Sequence, residues 1–338
     1  MTTPPRIDAV FDFDALLSAE EREWQQRARA FAQERILPVI EEDFENAYFR
    51  RELIPLLGQQ GFLGMHISGY GCAGAGAVSY GLVCLELEAA DSGWRTFVSV
   101  QGSLAMSAIS KYGSLADVAV IWARVDDPAY GEGGRAVRGF LVPTSTPGFT
   151  ATPIAGKLSM RASVQCDIDL DGVRLPADAI LPGAEGLSGP FGCLNEARYG
   201  IIWGAMGAAR SCLDVAIDRS VSREVFGRPI GANQLTQAKL ADMLLEVEKG
   251  MLLALHLGRL KERGALTPAQ ISVGKLNSVR EALEIAHQTR TILGGDGITS
   301  AFPIMRHAAN LESVRTYEGT DEIHQLILGR ALTGLSAF

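Results

Sequence analysis

The 338-residue chain is predicted to be an α+β protein, mainly α, because helical segments flank a short region of strands. Up to Ser114, and again from about residue 194, apolar side chains recur at helical spacing. Between these parts, short stretches alternate apolar and polar residues and are separated by glycine and proline, which is typical of antiparallel strands. We therefore expect an N-terminal helical domain at 1–114, a small antiparallel β domain at 115–182 and a C-terminal helical bundle at 183–338.

The first helix has a clear start signal. Ser18 and Glu21 have the spacing of a capping box, and Pro38 is expected to bend or end the helix that follows. Further N-terminal helices are predicted at 48–60, 76–91 and 94–112.

Between the predicted N-terminal helices, Gly69-Tyr-Gly-Cys-Ala-Gly74 matches the letters of a dinucleotide-binding fingerprint. That fingerprint requires a preceding strand, and helices flank it here, so a glycine-rich connection is favoured.

The period of the apolar pattern changes after Ser114. Strands are predicted at 115–124, 137–142, 149–154 and 164–170, the last followed by an Asp171-Gly172 turn. The helical pattern then returns at 194–221, 233–263, 267–292, 302–313 and from Asp321 onward.

Composition limits the possible functions. Residues are 47% hydrophobic and 21% charged, and the formal net charge is −8, a globular profile that argues against a nucleic-acid surface. No apolar run is expected to span a bilayer. Without a recognisable targeting pattern at the N-terminus, a cytoplasmic, prokaryote-like location is expected, or the mitochondrial matrix for a processed organellar form. The five cysteines form no C-x-x-C pair and the histidines are scattered, so neither a disulfide framework nor a metal site is predicted.

Two charged positions are candidates for function. Glu318 precedes Gly319 at the start of the predicted last helix, where Thr320 can act as the cap and Asp321 and Glu322 suit the positive end of the helix dipole. A carboxylate held on such a loop can serve as a general base. The alternative is a solvated acid that stabilises the helix only through its dipole.

Arg95 and Ser99 are the second candidate, because they lie four residues apart on one face of a predicted helix. The surrounding residues are apolar, and a buried guanidinium requires an anion. That anion is either a glutamate of the chain, such as Glu86 or Glu88, or the carboxylate of a ligand.

The C-terminal motif Tyr317-Glu-Gly-Thr320, with Ile323-His324 and Gly329-Arg330, resembles the signature of the acyl-CoA dehydrogenases, and most of all their glutaryl-CoA dehydrogenase branch. The resemblance implies that Glu318 is the base for the α-proton and that FAD accepts the hydride. It also implies that Arg95 and Ser99 bind the substrate's far carboxylate and that Tyr317 lines the pocket.

The resemblance has further implications for the reaction and its partners. Glutaryl-CoA would be dehydrogenated and decarboxylated to crotonyl-CoA by a homotetramer that passes its electrons to an electron-transferring flavoprotein. Another short or branched acyl-CoA substrate, or a non-catalytic family member, are the alternatives.

Several motifs resemble the flavin-binding elements of that family. Arg223-Glu-Val-Phe226-Gly and Gln234 resemble an element that contacts the flavin diphosphate and adenine across a subunit boundary, and the alternative is a surface corner between helices. Gly294 and Gly295 resemble a turn whose amides meet the diphosphate. The resemblance also assigns Thr320 and Glu322 to the cofactor. Asp296 stands where the family has asparagine, and an acid there would repel a diphosphate unless it points away.

The resemblance is interrupted after Ser114. Relatives have several tens of additional residues there, including T-E-P-x-x-G-S-D and W-I-(T/S)-(N/S)-G stretches that contact the isoalloxazine ring. Their loss implies a truncated β domain with unpaired strand edges, weak flavin retention and impaired activity.

Overall fold

A computed structural model of the chain describes residues 10–106 and 118–337, and most of these are helical. The helices are α1 (Ala19–Phe31), α2 (Ile40–Glu45), α3 (Ile54–Gln59), α4 (Ala77–Ala90), α5 (Ser92–Ser99), α6 (Ser188–Ser222), α7 (Gln234–Glu262), α8 (Pro268–Leu293), α9 (Ile304–Thr316) and α10 (Asp321–Thr333). The strands are β1 (Ser68–Gly69), β2 (Cys72–Ala73), β3 (Val118–Arg124), β4 (Val137–Pro143), β5 (Phe149–Pro153), β6 (Cys166–Leu170), β7 (Glu224–Val225) and β8 (Arg228–Pro229).

The N-terminal helices follow the predicted signals closely. Ser18 and Glu21 form the expected reciprocal capping box. Helix α1 continues as a π-helical segment, Ala32–Ile36, and the chain turns at Pro38 before α2. The helix predicted at 48–60 is shorter, because a 3₁₀ turn precedes α3 and Pro55 occupies the first turn of α3, where its missing N–H has no cost.

Helix α5 also continues as a π-helical segment, Val100–Met106. The rest of the helix predicted at 94–112 lies outside the described residues, as does the junction after Ser114. The glycine motif at 69–74 overlaps the small hairpin of β1 and β2, which has Tyr70 exposed at its tip. This hairpin lies between α3 and α4, so the interpretation as a connection between helices is confirmed.

Helix α6 is the central helix of the core. It packs against α4, α5 and α8, and small residues allow the close approach to α4. A Cβ atom at Gly207 would lie only 1.9 Å from the carbonyl oxygen of Leu85. By length and composition α6 could cross a membrane, which the sequence prediction had excluded. However, 72% of its most apolar window is buried within the protein, as expected for a core helix.

The middle region consists of two separate two-stranded antiparallel sheets, which confirms a small antiparallel β region. β3 pairs with β4 from Val118↔Pro143 to Arg124↔Val137, and β5 pairs with β6 from Phe149↔Leu170 to Pro153↔Cys166. Among the described residues, the second edge of β3 has no partner strand. Open edges of this kind lack the ladder hydrogen bonds that a closed barrel provides.

Candidate active site

Glu318 lies on the loop between α9 and α10, with its backbone in the left-handed region at φ 57°. Its Oε2 atom is buried and has no hydrogen-bond partner among the described residues. Burial raises the pKa of this carboxyl group to about 7, while the positive charges of Arg95, Lys275 and Arg198 oppose the rise. A carboxyl group that titrates near neutral pH suits a general base, and its burial disfavours the alternative of a solvated acid.

Two buried cations hold the three consecutive backbone carbonyls of this loop. Lys275 Nζ donates hydrogen bonds to the carbonyl oxygens of Tyr317 and Gly319, at 2.6 and 2.5 Å. Arg198 Nε donates to the carbonyl oxygen of Glu318 at 2.7 Å. The loop is therefore fixed on both sides of Glu318, which supports a left-handed backbone that non-glycine residues rarely adopt.

Arg95 is completely buried and has both protein partners and a free donor. Its guanidinium forms an ion pair with Glu88, so the structural alternative is present in the molecule. Its Nη2 atom donates to the hydroxyl of Tyr317 at 2.6 Å. Its Nη1 atom has no hydrogen-bond partner among the described residues. A buried N–H group without an acceptor is costly, and a ligand oxygen is a suitable acceptor for it.

The other glutamate considered, Glu86, belongs to a different cluster. It accepts hydrogen bonds from both Arg29 and Arg210, and these two cations hold its pKa below the usual value despite burial. The partner of Arg95 is thus Glu88.

Ser99 is buried one helical turn from Arg95, beside the ring hydroxyl of Tyr80. Two glycines of α6 make room for this face of α5. A Cβ atom at Gly200 would lie 2.9 Å from the Tyr80 hydroxyl and 3.5 Å from Ser99 Oγ, and one at Gly204 would lie 1.9 Å from Glu88 Oε2. The buried polar cluster therefore depends on glycine at both positions.

The start of α10 differs in one respect from the sequence prediction. Thr320 occupies the N-cap position, but its side chain makes no capping hydrogen bond. It interacts instead with Glu322, and this hydrogen bond lowers the pKa of the exposed Glu322 carboxyl group. Asp321 accepts hydrogen bonds from Arg280 at 2.9 Å and Arg315 at 2.8 Å, which fixes this helix end to its neighbours.

The residues predicted to hold the flavin diphosphate lie on exposed surface. The side chain of Phe226 is fully exposed at the tip of the β7–β8 hairpin, with φ 54°. Arg223, at the start of this hairpin, is also exposed. Both side chains are therefore accessible for contact with another molecule.

The glycine turn after α8 is joined by an ion pair to the end of α6, from which the β7–β8 hairpin starts. Gly294 and Gly295 are exposed, and a Cβ atom at either position would meet no other atom within 4 Å. Asp296 forms an ion pair with Arg219, near the end of α6 from which the hairpin starts. Because Arg219 neutralises this acid, the turn stays open to an anion despite the aspartate.

Residues 18–117 match the model of the acyl-CoA dehydrogenase N-terminal domain, and residues 184–333 match that of the C-terminal domain. A crystal structure of glutaryl-CoA dehydrogenase from Mycobacterium smegmatis is 50% identical, with a TM-score of 0.94 over 98% of this chain and 99% of that one.

The chain belongs to the acyl-CoA dehydrogenase family.

A second structure of the Mycobacterium smegmatis enzyme, solved in complex with FADH2, is 48% identical, with the same TM-score of 0.94 and coverage of 98% of this chain and 99% of that one. Among curated acyl-CoA dehydrogenases, the human mitochondrial short-chain specific enzyme is 34% identical over 215 residues, or 63% of this chain. That match spans about half, 51%, of the human protein.

An acyl-CoA dehydrogenase from Bacillus subtilis matches over more of its length, at 28% identity across 94% of this chain and 99% of the relative. This alignment runs over 379 residues, whereas the chain has 338, so the relative contains residues without a counterpart here. That difference agrees with a missing internal stretch.

The fold brings together four residues that the sequence predicted as candidates, Glu318, Arg95, Ser99 and Tyr317. Their roles stay a prediction, and Lys275 was not among the candidates. A signal for Lys275 was present. It lies four residues after Ile271 and four before Val279, both buried on α8, so a lysine occupies the apolar face of that helix. A cation in such a position requires acceptors, which here are backbone carbonyls.

Proposed function

We propose that this chain is an FAD-dependent acyl-CoA dehydrogenase that acts on glutaryl-CoA. The observation that carries the proposal is a pair of buried groups with unmet hydrogen-bonding capacity, Glu318 Oε2 and Arg95 Nη1. Tyr317 links them, because it precedes Glu318 and its hydroxyl binds Arg95. Glu318 suits proton abstraction, and Arg95 suits the binding of an anion that lies at a distance from the reacting carbons.

In this proposal Glu318 takes the proton from the α-carbon of the thioester. Its carboxyl group is ionised in part at neutral pH and has no internal hydrogen bond at Oε2 that the substrate would have to displace. The backbone N–H of Glu318 polarises the thioester carbonyl, and Lys275 and Arg198 keep that peptide segment in place. Bound FAD supplies the hydride acceptor for the β-carbon. The bond between the two carbons thereby becomes double.

Arg95 is the residue that indicates a dicarboxylate substrate. A dicarboxylate thioester has a far carboxylate, and Arg95 Nη1 and Ser99 Oγ are buried polar atoms on the same helix face. After dehydrogenation the bond to this carboxylate breaks and CO₂ leaves, and its electron pair moves into the conjugated thioester. The γ-carbon then takes up a proton, for which the protonated Glu318 is the proposed donor, and the product is crotonyl-CoA. A monocarboxylate substrate would leave the Nη1 group without an acceptor, which disfavours such a substrate.

The cofactor and partners follow from the family. The residues proposed to hold FAD are Arg223, Phe226, Gln234, Gly294, Gly295, Thr320 and Glu322. The exposure of Phe226 and of the glycine turn agrees with contacts made across a subunit boundary, as in a homotetramer. An electron-transferring flavoprotein accepts the electrons, and the proposed location is cytoplasmic.

The missing stretch is proposed to weaken this enzyme. The two-stranded sheets leave strand edges without partners, and a domain has only about 5–15 kcal/mol of net stability to lose. We therefore expect weak FAD retention and low turnover when no FAD is added.

A test of the substrate must avoid leaving Glu88 as an unpaired buried charge, since removal of one partner of a buried ion pair is itself strongly destabilising. The double variant Arg95→Ala with Glu88→Gln, which leaves neither charge of the pair unpaired, is compared with the wild type on glutaryl-CoA and on butyryl-CoA with added FAD. The proposal predicts a loss of at least about tenfold in kcat/KM that is specific to glutaryl-CoA.

Two results would redirect the proposal. Equal losses on both substrates would favour another short or branched acyl-CoA, which the similarity to the human short-chain enzyme also suggests. No turnover with either substrate, in a folded protein saturated with FAD, would favour a non-catalytic family member.

A further inference from the structure

We propose that Lys275 is a positioning residue for the base Glu318, with its ammonium group serving as the shared anchor of the two peptide carbonyls on either side of that residue. The inference rests on the proposed function for its kinetic consequences. Its structural basis is independent of any ligand.

The geometry of Lys275 is unusual for a lysine. Its side chain is 2% exposed, on the buried face of α8, and its Nζ atom lies 2.6 Å from the Tyr317 oxygen and 2.5 Å from the Gly319 oxygen. Burying an ammonium group is costly, so these acceptors must compensate for lost water. No carboxylate forms an ion pair with Lys275 among the described residues, which leaves the two carbonyls as its main partners.

The anchored segment is also the strained one. Glu318 has a left-handed backbone, at φ 57°, and Gly319 follows with φ 101°. Such conformations persist only where the surroundings hold them. Because Lys275 binds the carbonyls before and after Glu318, it fixes both peptide planes that set the direction of the Glu318 side chain.

The charge of Lys275 adds a second effect on the same carboxyl group. The cations that act on Glu318 are Arg95 from α5, Lys275 from α8 and Arg198 from α6, and all three lower its pKa against the effect of burial. Two further titratable groups face this loop: Tyr317, whose hydroxyl binds Arg95, and His324 of α10, which packs on Gly319. Removing Lys275 should therefore raise the pKa of Glu318, which a purely structural role would not do.

The test is the variant Lys275→Met, which keeps a similar length without charge, assayed with added FAD beside the control Lys249→Met. Lys249 is an exposed lysine of the adjacent helix α7, paired with Glu246. We expect Lys275→Met to lower kcat at least about tenfold with little change in KM, and to move the acidic limb of the pH profile of kcat/KM to higher pH. We expect Lys249→Met to change neither kcat nor the pH profile of kcat/KM. A Lys275→Met enzyme with wild-type kcat and pH profile would overturn the inference.

A second measurement separates this inference from the proposed function and needs no activity. Burial lowers the pKa of Lys275 to about 8, so the measurement is made at pH 7.5, where Lys275 keeps most of its charge. The gain in Tm caused by Glu318→Gln is measured at this pH in the wild-type and Lys275→Met backgrounds. If the ammonium group acts on Glu318, the gain is larger when Lys275 is absent, whether or not the chain turns over acyl-CoA. Equal gains would overturn the inference. If Lys275→Met does not fold, Lys275→Gln, which can donate to one carbonyl, replaces it in both arms.

Discussion

The hydroxyl of Tyr317 accepts a 2.6 Å hydrogen bond from Arg95 Nη2, although the two residues are 222 positions apart in the chain. Tyr317 directly precedes Glu318, so the same short segment carries the proposed base and contacts the proposed anion-binding arginine. Lys275 and Arg198 hold the backbone of that segment from the other side. In the proposed function, one loop therefore connects substrate recognition and proton abstraction.

The first prediction concerns the Tyr317 hydroxyl. Tyr317→Phe leaves Arg95 Nη2 without its short acceptor, and an unsatisfied buried donor costs about 1–3 kcal/mol. We expect a loss of stability of that size and a lower preference for glutaryl-CoA over butyryl-CoA. Unfolding in urea and kcat/KM for both substrates provide the measurements. The control is Tyr48→Phe, which removes an exposed hydroxyl that contacts Glu52; an equal effect of the two variants would contradict the prediction.

The second prediction is that the base reduces stability at neutral and alkaline pH. The folded-state pKa of Glu318 is raised from 4.5 to about 7, so between these values the folded protein binds the proton more tightly than the unfolded chain does. Stability must therefore fall as pH rises through this window. Glu318→Gln removes this dependence and should stabilise the protein at pH 8 by about 1–3 kcal/mol, with little effect at pH 4.5. Denaturant unfolding at the two pH values checks this; a variant less stable than wild type at pH 8 would be incompatible with a buried carboxylate.

The third prediction follows from the same pKa and concerns activity. Only the ionised Glu318 can accept a proton, so kcat/KM should rise with pH along a limb near pH 7. Assays between pH 5.5 and pH 8.5 at saturating FAD would detect it. A rate that is flat across this range would indicate that proton transfer to this group does not limit kcat/KM, or that its pKa is unperturbed.

The fourth prediction concerns flavin binding. Purified protein should contain less than one FAD per chain, measured by visible absorption, because the chain lacks the stretch that the family resemblance assigns to the isoalloxazine ring. Asp296→Asn should improve retention, since it leaves the positive charge of Arg219 unpaired beside the glycine turn, and should change stability little because the ion pair is partly exposed. Arg223→Gln should weaken retention. Stoichiometric FAD in the wild-type protein, together with normal turnover, would refute the predicted impairment.

Sequence reasoning predicted the helices well because their signals are local. The capping box at Ser18, the break at Pro38 and the apolar period of α6 to α10 depend only on neighbouring residues. Resemblance in short motifs was sufficient to indicate Glu318 and Arg95 as candidates. The domain boundaries at 114 and 182 stay a prediction.

What could not be predicted depends on contacts between distant residues. Arg95 could have paired with Glu86 or Glu88, and the choice is made by Arg29 and Arg210, which bind Glu86 from α1 and α6. The prediction that the Thr320 side chain caps α10 was wrong, because its hydroxyl interacts with Glu322 instead of the helix backbone. The position of Lys275 on the apolar face of α8 was visible in the sequence, but its role was missed because its acceptors are carbonyls on another element.

The most direct test of the central claim is the loss of visible flavin absorption when glutaryl-CoA is added anaerobically to FAD-saturated protein. The wild-type chain should bleach, and Glu318→Gln should bleach at least about 10² times more slowly while binding FAD equally well. Bleaching of Glu318→Gln at the wild-type rate would contradict the assignment of Glu318 as the base of an acyl-CoA dehydrogenase.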